Sequence, residues 1–145
     1  MARREGALVL DVRRLQLLGA LQEGSMGQLV WGSNGQPDRP AALYAFRREM
    51  LTLHEVLRDG SLDRLEVSLP VEASAAFSHT GVRPWLSCPN PHDGRLCGRR
   101  VTRLLLIAGE MQLRCRFCVG RRHDLRLLEL TEASSHTLAG SPSPR

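Results

Sequence analysis

The chain has 145 residues, of which 42% are hydrophobic and only 4% aromatic, and its formal net charge is +5 at pH 7. This length suffices for one ordinary domain or for a small domain joined to a metal-stapled module. No stretch approaches the roughly 20 consecutive apolar residues of a membrane-spanning helix, and Asp11, Arg13 and Arg14 interrupt the apolar run near the N-terminus. We therefore expect a cytoplasmic protein without a signal peptide or membrane anchor.

The positive charge is concentrated in one segment. Residues 83–126 carry ten arginines against three acidic residues, whereas residues 1–82 carry nine against ten. A field of this sign attracts polyanions such as nucleic acids. All 20 basic residues are arginines, so a GC-rich genome explains the choice of arginine as well as phosphate recognition does. The clustering is the better evidence for a function.

The first predicted element is a short helix. Val12, Leu15 and Leu18 recur at three-residue spacing behind Asp11, which is a suitable N-cap, and the pattern ends near Gly19. No second helix follows to complete a helix-turn-helix motif. We therefore interpret this helix as an amphipathic cap on a small sheet rather than as a DNA-recognition helix.

The apolar pattern changes to a period of two between Gly27 and Pro70, which predicts three or four antiparallel strands. The clearest alternation is LDRLEVSLPV, residues 62–71, and RDG at 58–60 is a hairpin signal. The stretch GSNGQPDRP at 32–40 is rich in turn-forming residues and is predicted to be an exposed connection.

The weakly patterned residues 72–84 suit a linker, and residues 131–145 lack an apolar period and end in a Ser-Pro repeat, which predicts a disordered tail. The sequence therefore predicts an α+β fold that is mostly β. It comprises an N-terminal helix with a small antiparallel β region (1–82), a cysteine-containing module (83–130) and the tail.

Four cysteines in two pairs are the strongest functional signal. Cys88 and Cys97 are separated by eight residues and Cys115 and Cys118 by two, with 17 residues between the pairs. In a reducing compartment such pairs are more often metal ligands than disulfides. Four thiolates suit one tetrahedral zinc ion, while an iron–sulfur centre or a redox pair remains an alternative.

The spacing predicts a β-hairpin with a metal-binding turn at each end, which is the layout of a zinc ribbon. Two apolar runs flank a turn at residues 108–110, and a glycine follows each cysteine pair. We call residues 88–97 the first cysteine loop and residues 115–118 the second cysteine turn. The first loop contains His92, an alternative ligand to Cys97. We favour the cysteine and expect an exposed loop around His92.

Three stretches, LDVRRLQLLGALQEG…LVW, GVRPWLSCP…CGRRVTRLLL and LRCRFCVGRRHDLR, resemble a family of small bacterial proteins of unassigned function. Members combine a short N-terminal helix, a few strands and a zinc ribbon of the form CPxCGRRV followed by CRxCxGLxY. The resemblance spans residues 8–126 and implies that all four cysteines bind zinc, but it implies no activity. This chain differs by an insertion containing NPHDGR in the first cysteine loop, and by arginine and His123 after the second cysteine turn.

Two functions fit these features best. The first is binding of DNA or RNA through a basic face of the ribbon, with Trp85 or Phe117 available for base stacking. The candidate contacts are Arg99, Arg100, Arg103, Arg114, Arg116, Arg121, Arg122 and Arg126. The second is a protein-interaction adaptor, in which the metal staples a small fold whose sheet offers an edge strand. A thiol redox switch at Cys115 and Cys118 is a weaker third candidate.

Catalytic function is not indicated by the sequence. Four thiolates fill the coordination sphere of zinc and leave no position for water. The chain contains no phosphate-binding loop, HExxH helix or nucleophile elbow. We therefore expect no enzymatic activity and no small-molecule substrate.

Overall fold

The computed structural model describes residues 6–33, 39–58, 61–75, 82–120 and 125–137, and it is built mostly from β-strands. The helices in these described ranges are α1, Val12–Leu17, and α2, Arg116–Val119. The strands are β1 Gly6–Asp11, β2 Ser25–Trp31, β3 Ala41–Arg47, β4 Met50–Arg58, β5 Ser61–Ala75, β6 Val82–Ser87, β7 Pro91–His92, β8 Arg95–Leu96, β9 Arg100–Val101, β10 Arg103–Ile107, β11 Leu113–Arg114, β12 Arg126–Leu128 and β13 Leu130–Thr137. A mostly β fold with a short N-terminal helix and antiparallel sheets is confirmed.

Helix α1 begins at its expected cap. The Asp11 carboxylate accepts hydrogen bonds from the backbone N–H groups of Arg13, at 2.9 Å, and Arg14, at 3.3 Å. Val12 and Leu15 are fully buried, and the helix packs against β6 and β13. It therefore covers one end of a sheet, as its apolar spacing predicts. No helix in the described parts of the chain has the length and apolar character needed to span a bilayer.

The main sheet has seven strands in the order β13-β2-β3-β4-β5-β6-β9, and each neighbouring pair is antiparallel. Strands β2 to β5 are consecutive neighbours, which confirms the predicted three or four antiparallel strands. The β4–β5 hairpin pairs as far as Arg58 and Ser61, at the predicted RDG turn. Residues 59–60 of that turn and 34–38 of the predicted exposed connection lie outside the described residues.

The turn between β3 and β4 consists of two residues with positive φ, Arg48 at 51° and Glu49 at 62°. Two-residue hairpin turns of this kind favour glycine and asparagine, because side chains disfavour positive φ. Hydrogen bonds hold both residues in place. The Arg48 N–H donates to the Glu23 carboxylate, and the Val71 N–H donates to the Glu49 carbonyl, each at 2.8 Å.

The second sheet has four strands in the order β11-β10-β1-β12. Strand β1 is one of the two inner strands of this sheet, and the sequence does not predict it. It is antiparallel to β10 and parallel to β12. Strand β1 thus takes both of its neighbours from the C-terminal half of the chain. The expected boundary between residues 82 and 83 therefore does not separate two independently hydrogen-bonded units.

The predicted disordered tail differs from the structure over residues 131–137. These residues belong to β13, which pairs with β2 along the edge of the main sheet. Leu130 is fully buried at the start of the strand, and the Arg39 side chain donates hydrogen bonds to Glu132 and Thr131. Backbone hydrogen bonds to β2 can hold an edge strand that lacks a regular apolar period. The polar composition of these residues therefore wrongly predicted disorder. Residues 138–145 lie outside the described residues.

One large core joins the two sheets. Buried side chains from β1 and β10, such as Leu8 and Leu104, form a continuous cluster with main-sheet residues such as Leu29 and Leu53. A smaller buried cluster lies on the other side of the second sheet, where Ala7, Val9, Leu105 and Ile107 pack with Val119 and Leu125. The second sheet is therefore apolar on both faces, which explains the near-continuous apolar runs of β1 and β10.

Candidate metal centre

The first cysteine loop connects β6 to β9, two paired strands at one edge of the main sheet. The Cys88 N–H donates to the Arg99 carbonyl at 3.0 Å, which continues the strand pairing into the loop. The Cys97 N–H donates to the Asn90 carbonyl at 2.8 Å. These bonds bring the two cysteines of the loop close together although eight residues separate them.

The long gap between these cysteines is occupied by a small hairpin. Strands β7 and β8 pair antiparallel around Asp93 and Gly94, whose φ angles are 51° and 80°. Asp-Gly is a preferred sequence for a two-residue turn with positive φ at both positions, so the sequence contained a signal for this hairpin. The hairpin is largely exposed, as expected. The side chain of His92, the alternative ligand, lies outside the described part of the structure.

The second cysteine turn follows the predicted hairpin. Strands β10 and β11 pair antiparallel around residues 108–112, and Cys115 then begins the single turn of α2, which contains Cys118. The helix ends at Gly120, with φ of 79°. The backbone N–H of Cys115 donates to the Cys88 sulfur at 3.2 Å, so the two cysteine segments contact each other directly.

All four cysteine sulfurs form one cluster, within 4.8 Å of one another. The distances from Cys88 Sγ to Cys118 Sγ and from Cys97 Sγ to Cys115 Sγ are both 3.9 Å, and Cys115 Sγ to Cys118 Sγ is 3.8 Å. Four sulfurs bound tetrahedrally at about 2.3 Å from zinc lie about 3.8 Å apart, whereas a disulfide bond is about 2.05 Å long. The cysteines are free thiols whose arrangement suits one metal ion.

The cluster lies where the two sheets meet. Cys88 and Cys97 flank the β6 and β9 edge of the main sheet, whereas Cys115 follows β11 of the second sheet. Cys88 and Cys115 are at most 1% exposed and belong to the large core, and Cys97 and Cys118 are partly exposed at its rim. A metal ion held by all four residues would therefore cross-link the two sheets.

Burial and hydrogen bonding affect the thiols differently. Burial raises the pKa of Cys88 to about 12, because a thiolate loses hydration there. Burial also raises the pKa of Cys118. The backbone N–H of Arg99 lowers the pKa of Cys97, because a hydrogen bond favours the thiolate. Without a metal, burial of Cys88 and Cys118 therefore favours their protonated thiols over the thiolates.

Asn90 is a site residue that the sequence reasoning missed. Its backbone hydrogen-bonds to the Cys88 sulfur and its side chain to the Cys118 sulfur, and both bonds lower the pKa of the cysteine they reach. One residue thus contacts a sulfur from each pair. Its position two residues after a cysteine, in a tight loop, is the available sequence signal, since such loops direct amides towards metal-bound sulfurs.

The arginines predicted to contact nucleic acid do not form one unpaired face. Arg100 pairs with Glu72 at 3.1 Å, and Arg114 pairs with Glu110 at 3.5 Å. Arg103 pairs with both Asp11 and Glu129. Arg99, Arg116 and Arg126 are exposed, whereas Arg121 and Arg122 lie outside the described residues.

Two aromatic side chains near the cluster are stacked against arginines. Arg99 lies over the Phe117 ring at 3.8 Å from its centroid, and Phe117, between the two cysteines of the second turn, is 72% exposed. Trp85 carries Arg83 at 4.4 Å and Arg100 at 5.7 Å. Both cysteine segments therefore have an arginine–aromatic contact on or next to them in the sequence.

Comparison with known proteins gives no relative from which a function could be inferred. No family model matches the chain, and neither a curated protein nor a solved structure does. The resemblance to a bacterial zinc-ribbon family therefore remains a prediction. The function has to be argued from the cysteine cluster and the surfaces around it.

Proposed function

We propose that the four cysteines bind one structural Zn²⁺ and that the two cysteine segments, with the β10–β11 hairpin between them, form a zinc ribbon. The observation that carries this proposal is the sulfur separation of 3.8–3.9 Å within the cluster, which suits tetrahedral zinc. Four thiolates leave no coordination position for water, so the metal stabilises the fold and performs no catalysis.

Metal analysis of the purified protein tests this assignment. We expect one zinc per chain and no iron, with thiols that react with an alkylating reagent only after a chelator is added. Cys118→Ala should lose the zinc and unfold at least residues 83–126, because structural zinc contributes an apparent ~10 to 16 kcal/mol in small zinc modules. Phe117→Leu, between the same two ligands, should retain zinc. Unchanged far-UV circular dichroism and melting in Cys118→Ala would contradict the proposal.

The proposed biological role is nucleic-acid binding at the surface beside the metal. Arg99 and Phe117 supply a stacked cation–aromatic pair, and Arg95 and Arg116 are exposed on the two cysteine segments. Single-stranded nucleic acids bind to such combinations, because guanidinium groups contact phosphates and exposed rings stack on bases. The ion pairs of Arg100, Arg103 and Arg114 make this smaller patch a better candidate than the full set predicted from the sequence.

Salt-dependent binding measurements test the nucleic-acid proposal. If Arg95, Arg99 and Arg116 each neutralise one phosphate, the slope of log K against log salt should be about −2 for single strands. Arg99→Ala with Arg116→Ala should reduce that slope by about 1.4. Arg13→Ala with Arg14→Ala, two exposed arginines on α1, is the matched control and should leave the slope unchanged. A flat salt response, or no binding to DNA or RNA, would exclude this role.

A protein-interaction adaptor is the second candidate. The ion pairs of the basic segment favour it, since paired arginines are less available to phosphates, and β13 has only β2 as a partner among the described strands. The open edge of β13 is a surface to which an extended segment could add. A partner that is recovered by pull-down and resists nuclease treatment, yet is lost after zinc chelation, would favour this role over nucleic-acid binding.

A further inference from the structure

We propose that the outer face of the main sheet is a self-association surface that binds a second copy of this chain. This outer face is the side of β2 to β5 that points away from the second sheet. The proposal is independent of the metal centre and of the nucleic-acid patch. It rests on the apolar side chains, the charges and the size of the face.

Large apolar side chains are exposed on this face. Of the large hydrophobic residues that are exposed in the described chain, four lie here, one on each strand. They are Met26, 39% exposed, Leu43, 44%, Leu57, 41%, and Leu62, 60%. Scattered single leucines are ordinary on protein surfaces, whereas several on one face of a sheet commonly mark an interaction site.

The strand register aligns part of this face into a continuous apolar row. Val30 pairs with Ala41, Ala41 with Leu57, and Leu57 with Leu62, so the row crosses all four strands. Ala41 is only 6% exposed although it belongs to neither buried cluster, as expected where neighbouring side chains of the outer face cover it. Val30 is partly buried, so Leu57 and Leu62, which pair with each other, form the accessible part of the row.

Charges of both signs lie beside the row. A shallow hollow of about 340 Å³ is lined by Leu43, His54, Glu55, Arg64 and Glu66. Arg64 and Glu66 are exposed and two residues apart on β5, so they point to the same side of the sheet. A strongly basic or acidic partner would be repelled by one of them. A second copy related by a two-fold axis would place each arginine against the partner's glutamate.

The dimensions of the face suit a modest dimer. Four strands about 4.8 Å apart and about seven residues long, at about 3.3 Å per residue, span about 19 by 23 Å. Their product is about 440 Å² on each partner, roughly half of the about 800 Å² that a standard stable interface buries, so a dimer formed through this face is weak. We therefore expect a dissociation constant in the micromolar range, with two sheets packed face to face.

Sedimentation equilibrium of the full-length, metal-loaded chain between about 2 and 200 μM tests this directly. We expect a monomer–dimer equilibrium that Leu62→Glu weakens at least tenfold. Leu17→Glu is the matched control, because Leu17 is 83% exposed on α1, and it should leave dimerisation unchanged. Circular dichroism melting of each variant separates loss of dimer from loss of fold. A wild-type chain that stays monomeric throughout, or equal dimerisation of wild type and Leu62→Glu, overturns the proposal.

A charge exchange tests whether the partner is a second copy in the proposed orientation. Arg64→Glu leaves two acidic residues at positions 64 and 66, and Glu66→Arg leaves two basic ones. Each variant alone should therefore dimerise at least tenfold more weakly than wild type, because like charges would meet across the two-fold axis. An equimolar mixture of the two should restore dimers, because every contact then joins opposite charges. Failure of the mixture to recover dimers beyond those of the separate variants would overturn the two-fold arrangement.

Discussion

Trp31 joins the two sheets through a buried hydrogen bond. It is 2% exposed on β2, and its indole N–H donates to the Val9 carbonyl on β1 at 2.8 Å. We expect Trp31→Phe to lower the free energy of unfolding by about 2 to 4 kcal/mol, because a buried acceptor loses its partner and the smaller ring leaves a void. Urea unfolding of the metal-loaded protein measures this. Phe117→Leu, at an exposed ring that loses only its contact with Arg99, should change stability by less than about 1 kcal/mol, and equal losses would contradict this role of Trp31.

Asn90 orients the cysteine sulfurs without being a ligand. We expect Asn90→Ala to weaken zinc binding about 10- to 100-fold, the usual effect of losing a hydrogen bond to a metal ligand. Competition with a chromophoric chelator measures the affinity. Arg95→Ala, on the neighbouring small hairpin, is the control and should bind zinc as the wild type does. Equal affinities of Asn90→Ala and wild type would show that the sulfurs need no such support.

Strand β13 extends the main sheet, although the polar composition of residues 131–137 predicted disorder. Leu130 is fully buried at its start, whereas Leu127, three residues earlier on β12, is 38% exposed. We expect Leu130→Ala to cost about 2 to 5 kcal/mol and Leu127→Ala less than about 1 kcal/mol, because only the first leaves a cavity in the core. Denaturant unfolding distinguishes the two. Similar losses for both variants would mean that β13 is not anchored in the core.

The zinc affinity of the cysteine cluster depends on pH. Zinc binds thiolates, and burial raises the pKa of Cys88 to about 12 and also raises that of Cys118. Binding near neutral pH must therefore displace protons, and affinity falls as pH falls. We expect about three to four protons released per zinc at pH 7. Calorimetry in buffers of different ionisation enthalpy counts them, and release of fewer than two would contradict a site of four thiols.

In the metal-free chain, burial of Cys88 makes the free energy of unfolding fall as pH rises, whereas zinc affinity increases with pH. The pKa of Cys88 in the folded state lies above its ordinary value of 9.0, so folding favours the neutral thiol. Its contribution to stability is complete below pH 9 and is lost as pH rises towards 12. Above pH 9 this effect adds to the loss of stability that zinc removal causes, whereas the melting temperature of zinc-loaded protein, whose ligands are already thiolates, should not fall over this range.

Short-range sequence signals account for the local features of the fold. The cap at Asp11, the β4–β5 hairpin and the turn between β10 and β11 follow from side-chain chemistry and apolar spacing within a few residues. The cysteine spacing likewise indicated four ligands for one metal. The small hairpin around Asp93 and Gly94 was also readable, because its turn signal is local.

Which distant segments pair with one another depends on long-range packing and could not be predicted from the sequence. Strand β1 pairs with β10, nearly 100 residues away, and β13 pairs with β2. These pairings form because they bury the apolar side chains and give hydrogen-bond partners to the backbone groups of the strands. The two-residue turn at Arg48 and Glu49 is similarly imposed by contacts from outside the hairpin. The same long-range packing pairs Arg100 with Glu72, and Arg103 with Asp11 and Glu129, so part of the positive charge of the basic segment is neutralised.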